Sequence, residues 1–370
     1  MREAVSMRAS AAALFILMLV SACGGSSAPP AAPIAFGAEG NRLLAYETSE
    51  PFSVQTVIER RADDSQGWDI NGQICFHPDG SRRFVAGEDT GQPTPPAGWG
   101  FFQLAGDAVG ALSAARVGKL TPTYQGGISQ AEPYGCSFLP DGRLVTSDVG
   151  NQASGDPNGQ LIVWFPPFDR EDAPYCKLAT DIGTAGGIWV DAEGRVLVAS
   201  ARATSGVHRF SPPFPTSADA AGGCGRRDAT GAPLADAVQR EVFIAAGVNS
   251  PTPNAVTASG RGTFYVTSVI NGAISEYDAS GAFLRKILDA PPGEGLGPEP
   301  ISTGSPMGIG VDREGRVFYA DLAIVIDGAR IGPGANLGTY RMIEFDGDTP
   351  LPPRTLASGL AFPDGVGILD

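Results

Sequence analysis

Two histidines, five cysteines, four tryptophans and 40 acidic residues are the side chains of this 370-residue sequence best suited to chemistry. Their spacing rules out most common uses. His77 sits in the turn-like HPDG and His208 in the alternating segment GVHRFSPPF, so each reads as a surface or packing residue rather than a catalytic base. No G-x-S-x-G elbow, H-E-x-x-H helix, Walker loop or dinucleotide glycine pattern occurs. The cysteines show neither a CxxC nor a Cys/His metal spacing. The run GDPNGQ (155–160) lacks the alternating ligands and terminal Glu of a calcium loop and reads as a turn. What remains is oxygen chemistry. Asp148, Asp321 and Glu88 end apolar segments and are available to a ligand there. Trp68 and Trp99 border loop segments and are candidates for ligand contact, whereas Trp164 and Trp189 lie inside strand patterns and read as core.

The elements that would carry these residues are announced by internal repetition. Five stretches read as one unit: NGQICFHPDGSRRFVAGED (71–89), YGCSFLPDGRLVTSDVG (134–150), GGIWVDAEGRVLVASA (186–201), NAVTASGRGTFYVTSV (254–269) and MGIGVDREGRVFYADL (307–322). Each is a short apolar strand, a Gly-bearing turn and a second strand rich in Val, Phe and Tyr. A third, alternating strand follows in most units: QLIVWFPPF (160–168), GVHRFSPPF (206–214), AISEYDASG (273–281) and TYRMIEFDG (339–347). This predicts an all-β, six-bladed β-propeller. AFPDGVGILD (361–370) supplies an innermost strand and 39–59 the rest of the same blade, so the termini pair and leave no free edge. A seventh blade stays open at this stage, because IAFGAEG (34–40) reads equally as an inner strand. Long loops at 90–100, 121–133, 150–159, 288–306 and 322–338 open on one face, which predicts a binding face. The insertion 215–240 belongs to the other side or the rim.

Composition agrees, with 50 Gly and 31 Pro favouring turns over helices. The net charge of −14, with no basic cluster, excludes nucleic acid and an anionic membrane surface as partners. Residues 1–22 read as a signal peptide: Arg2 and Arg8, then the apolar run 11–22, too short to span a bilayer alone. LVSAC then resembles the lipobox of bacterial lipoproteins. It predicts lipidation of Cys23, a flexible tether over 23–33, and a propeller over 34–370 whose only membrane contact is the lipid. The expected location is the cell envelope, on the periplasmic side of the outer membrane in a Gram-negative host. An oxidising compartment permits disulfides. Cys176 and Cys224 stand at similar offsets in neighbouring repeats, predicting a bridge near the rims of adjacent blades. Cys75 and Cys136, in QICF and GCSF, read as buried small hydrophobes.

The repeat pattern resembles the calcium-dependent six-bladed propellers of the gluconolactonase/regucalcin family, with the paraoxonases and strictosidine-synthase-like proteins as relatives, and also plain NHL repeats. In the gluconolactonase family, acidic or amide residues just before the small residue of certain inner strands hold a Ca²⁺ in the axial channel. The matching positions are Asn71, Tyr134, Gly186, Asn254, Met307 and Asp364, of which Asn71, Asn254 and Asp364 carry oxygen ligands. The sequence departs from that family by having Asn71 in place of an acidic ligand and by placing Met307 between Asn254 and Asp364. The same residue types also serve as ordinary strand-entry turns. By resemblance, Asp364 would orient or deprotonate water for hydrolysis of a small lactone or ester. The competing expectation is a non-catalytic propeller presenting its looped face to an envelope protein, peptide or glycan.

Overall fold

The computed structural model describes residues 31–59, 69–89, 97–124, 132–150 and 158–370. The signal segment, Cys23, most of the tether and Trp68 lie outside the described residues. Apart from single 3₁₀ turns at Arg202–Thr204 and Ala220–Gly222, the described secondary structure is β.

Six blades, each built on four antiparallel strands, follow one another around an axis. Blade 1 joins the two ends of the propeller: Pro363–Leu369 is innermost, followed outward by Ile34–Glu39, Arg42–Glu47 and Val54–Glu59. The closing register sets Ile34 against Leu369 and Val366 against Gly37. Residues 34–39 are therefore a second strand, and the count is six. Blades 2 to 6 begin with the inner strands Asp69–Phe76, Pro133–Phe138, Thr184–Val190, Pro253–Ala258 and Pro306–Val311. Middle strands such as Leu144–Asp148 and Val317–Asp321 are buried throughout, because each blade packs on neighbours at both faces. Outer strands such as Gln239–Ala245 are largely exposed.

The turn between inner and second strands is clamped by its own side chains. In blades 4 and 6 an aspartate accepts two turn N–H groups and pairs with the arginine that opens the next strand: Asp191 with Arg195 at 2.6 Å and Asp312 with Arg316 at 2.7 Å. Asp79–Arg83 and Asp141–Arg143 make shorter versions in blades 2 and 3.

The insertion between the third and fourth strands of blade 4 reaches back to blade 3. Its Pro233–Leu234 pairs in parallel with Tyr175–Ile182, making that sheet six-stranded. A disulfide joins Cys176 to Cys224, and the wholly buried pair Lys177–Asp228 lies beside it. Cys75 and Cys136 are also bonded, which corrects their reading as lone hydrophobes. They stand on the inner strands of adjacent blades with Cα atoms 5.9 Å apart, a distance suited to a bridge.

Candidate functional site

Every inner strand bulges just after it enters the sheet. From Pro133 to Cys136 blade 3 takes three steps where its partner takes two, from Asp148 to Thr146. Blades 4, 5 and 6 do the same between Ala185 and Ile188, Pro253 and Val256, and Pro306 and Ile309. A bulge releases a residue from the ladder and re-aims it, and bulges recur beside functional sites. The first released residues are Tyr134, Gly186, Asn254 and Met307, and the closing blade releases Asp364 between Pro363 and Gly365.

Blade 2 differs. Asn71 to Cys75 takes four steps against the two from Gly87 to Val85, and Asn71 itself stays in the ladder opposite Gly87. The first released residue is Gly72, so the axial position falls on Gly72 and not on Asn71. Space dictates a glycine there: with φ at +68°, a Cβ on Gly72 would lie 2.6 Å from the Cα of Tyr134. Gly365 in turn abuts the Gly72 carbonyl, which closes the ring of inner strands.

On the axis, the side chains of Asn254 and Tyr134 meet the main chain of a third released residue, Asp364. The Asn254 amide nitrogen donates to the Tyr134 hydroxyl at 2.8 Å and to the Met307 carbonyl at 3.3 Å. The Tyr134 hydroxyl donates to the Asp364 carbonyl at 2.9 Å. The Asp364 carboxylate is 1% exposed; its Oδ2 accepts the Gly72 N–H at 3.1 Å and its Oδ1 has no partner. Burial pushes this carboxyl well above its usual range, and the charges of Glu132 and Asp69 push it the same way. Asp69 is raised too, first by burial and then by Asp89, its cross-strand neighbour, and Glu39. Carboxyl groups therefore crowd the mouth, and each disfavours ionisation of its neighbours. One layer further in, the Gln73 amide spans the axis, with Nε2 donating to the Ile188 carbonyl and Oε1 accepting from Ile188 and Cys136.

This donor chemistry fits a hard cation: an orphaned carboxylate oxygen, and an amide whose nitrogen is fixed so that its oxygen is the free end. Asn254 and Asp364 are brought together, each a hydrogen bond from the same phenol. Asn71 is displaced by the register. Among the described residues, no cluster of three or more His, Cys, Asp or Glu side chains could hold a metal.

The remaining candidates fall elsewhere. Asp321 is buried and fully engaged by Ser305, Ala323, Thr339 and Arg341, so it braces blade 6 and is not a ligand site. Trp99 is 1% exposed, packed with Val85, Ile162 and Trp164 between blades 2 and 3, and presents no face to a ligand. Glu88 is buried and pairs with Arg116 at 3.1 Å. Asp148 is buried, with Oδ1 on the Gly150 N–H and Oδ2 without a partner. His77 lies 2.9 Å from Asp79 in its turn, and His208 bonds the Thr204 carbonyl. A cleft of about 750 Å³ between the turns of blades 5 and 6 is on the opposite face; there Arg261 and Arg316 pair with Asp348 and Asp312. Sequence reasoning placed Tyr134 on the axis without giving it a role; its spacing carried the signal, and its phenol is the hub.

No protein-family model and no curated protein matches the chain. Solved structures do. A protein of unknown function from Bacteroides caccae is similar at 12% identity and TM-score 0.52, over 91% of this chain and 99% of that one. A gluconolactonase from Xanthomonas campestris is similar at 14% identity and TM-score 0.47, over 82% of this chain and 84% of that one. A calcium-binding protein, regucalcin, from Agrobacterium tumefaciens is similar at 14% identity and TM-score 0.45, over 79% of this chain and 77% of that one. Likeness at these identities speaks to architecture alone; the sheet order itself makes this chain a six-bladed β-propeller.

Proposed function

We propose that the chain is a lipid-anchored envelope propeller that hydrolyses small lactones or esters at its axial mouth. The observation that carries this reading is Asp364, a buried axial carboxylate with a free oxygen, whose main chain is linked through the Tyr134 hydroxyl to the amide of Asn254. Asp364 Oδ1 and Asn254 Oδ1 would hold a hard cation, and Ca²⁺ suits them. Bound there, it supplies Lewis acidity toward a carbonyl oxygen.

The chain's own groups do the rest. The Gly72 N–H fixes Oδ2 of Asp364 so that Oδ1 is the end presented. Tyr134 and the Met307 carbonyl fix the amide of Asn254. Burial pushes the Asp364 carboxyl up and disfavours its ionised form, so it acts as a base only once its charge is compensated. Asp69 and Glu132 repel anions from the mouth, which favours neutral substrates such as lactones and simple esters. Envelope location is supported by the signal-like residues 1–22, by LVSAC, and by two disulfides, which persist in oxidising compartments. One feature favours the second reading, a binding scaffold: the Tyr134 phenol stands between Asn254 and Asp364 and narrows the axis.

Isothermal titration of chelator-stripped protein with Ca²⁺, beside Asp364→Ala, separates the two. The expected outcome is a site lost in the variant, together with lactone hydrolysis that chelator abolishes. Absence of any site dependent on Asp364 would sink the hydrolase and leave the scaffold.

A further inference from the structure

A second group of buried oxygens lies between blades 2 and 3, away from the axis. Tyr124 Oη, Asp148 Oδ2 and both amide atoms of Gln160 are buried without a hydrogen-bond partner. Gln160 is 0% exposed, Asp148 1% and Tyr124 5%. The ladder sets Gln160 directly opposite Asp148, and no hydrogen bond joins their side chains. Strand alternation puts both on the face that carries Leu144, Ile162 and Trp164, and that face packs on Val85, Trp99 and Phe101 of blade 2. Tyr124 follows the outer strand of blade 2, and the charges of Asp148 and Asp89 both act on its hydroxyl.

Buried polar atoms nearly always have partners, and each orphan costs about 1–3 kcal/mol. Asp148 and Gln160, paired across the ladder, leave three orphaned atoms in one place, with the Tyr124 hydroxyl within reach of the Asp148 charge, and such a group calls for a shared ligand. The nearby cation Lys177 is not available, because Asp228 engages it and both are buried. The free oxygens comprise a carboxylate, an amide and a phenol, with the charge of Asp89 close by, and no thiol or imidazole is among them. That set selects a hard, oxygen-seeking ion.

We infer that Asp148 Oδ2, Gln160 Oε1 and Tyr124 Oη hold one hard divalent cation between blades 2 and 3, separate from the axial cluster. Its role is to tie the two blades together where they meet the looped face. It shares no residue with the hydrolytic site and stands whether or not that site turns over substrate.

The test is titration of chelator-stripped protein with Tb³⁺, a hard calcium-like ion whose emission is sensitised by nearby tyrosine or tryptophan. Wild type, Asp148→Asn, Gln160→Leu and Asp364→Ala are compared, with a Ca²⁺-induced rise in melting temperature as the second readout. The expected result is a site whose affinity falls tenfold or more in Asp148→Asn and Gln160→Leu but is unchanged in Asp364→Ala. A folded Asp148→Asn or Gln160→Leu that keeps every wild-type site overturns the inference. Should the axial reading fail instead, wild type retains one site, lost in Asp148→Asn and kept in Asp364→Ala. If Asp148→Asn does not fold, Gln160→Leu carries the decision.

Discussion

Asp148 and Asp364 are carboxyl groups that folding removes from water without a hydrogen-bonded cation. Burial pushes Asp148 from 3.8 up to about 8, helped by the charge of Glu132, and pushes Asp364 well up. An unfolded chain has released these protons by roughly pH 5, whereas the folded chain still holds them. The folded state therefore binds more protons between about pH 4 and pH 8, and stability must fall as pH rises through that window. In chelator, the melting temperature is expected to decline from about pH 5 to about pH 8.5. Asp148→Asn should flatten the decline and gain about 1–3 kcal/mol at the upper end, since the amide never has to ionise. A wild-type profile that is flat across this range would refute the account. These residues show how far sequence reaches at this scale. Asn254 and Asp364 were legible because a proline precedes them and a small residue follows. Gln160 was not, because its place opposite Asp148 depends on the register between two strands. Asn71 misled because one extra residue in a bulge leaves the glycine spacing looking regular.

The repeated element is the inner hairpin, and its strength should follow the burial of its clamp. Asp312 has no side-chain exposure, and its partner Arg316 also donates to the backbone and hydroxyl of Thr48, tying blade 6 to blade 1. Asp191 makes the same turn contacts, but its arginine is 40% exposed. Exposed pairs contribute little, while removing one partner of a buried pair leaves an uncompensated charge. Chemical denaturation should therefore rank the two changes: Asp312→Ala destabilises by about 3 kcal/mol and Asp191→Ala by about 1 kcal/mol. Equal losses would show that the turn contacts matter and the tie to Thr48 does not. The hairpins themselves were readable from Asp-Gly and Glu-Gly turns, since a tight turn needs its glycine wherever it occurs. The bulges were not, because they arise from crowding around the axis.

Across the whole molecule, two covalent links divide the work. Cys75–Cys136 spans 61 residues and joins blades 2 and 3 at the centre, whereas Cys176–Cys224 spans 48 and pins the insertion at the rim. Loops of this length imply about 4 kcal/mol of stabilisation each through the unfolded chain. Paired replacement of Cys75 and Cys136 by serine is expected to lower the stability of the entire propeller in a single transition, with the rim pair intact. Loss of signal from blades 2 and 3 alone would mean that the blades unfold independently. Blade number and closure were legible because a repeat of this kind must bury its faces against copies of itself. The pairing of Cys75 with Cys136 was not, since it follows only once blade order is known. The strand that closes blade 1, Pro363–Leu369, also carries Asp364. Peeling it from Ile34–Glu39 would open the ring and withdraw the axial carboxylate in one movement, so integrity of the ring and competence of the site are reported by the same strand.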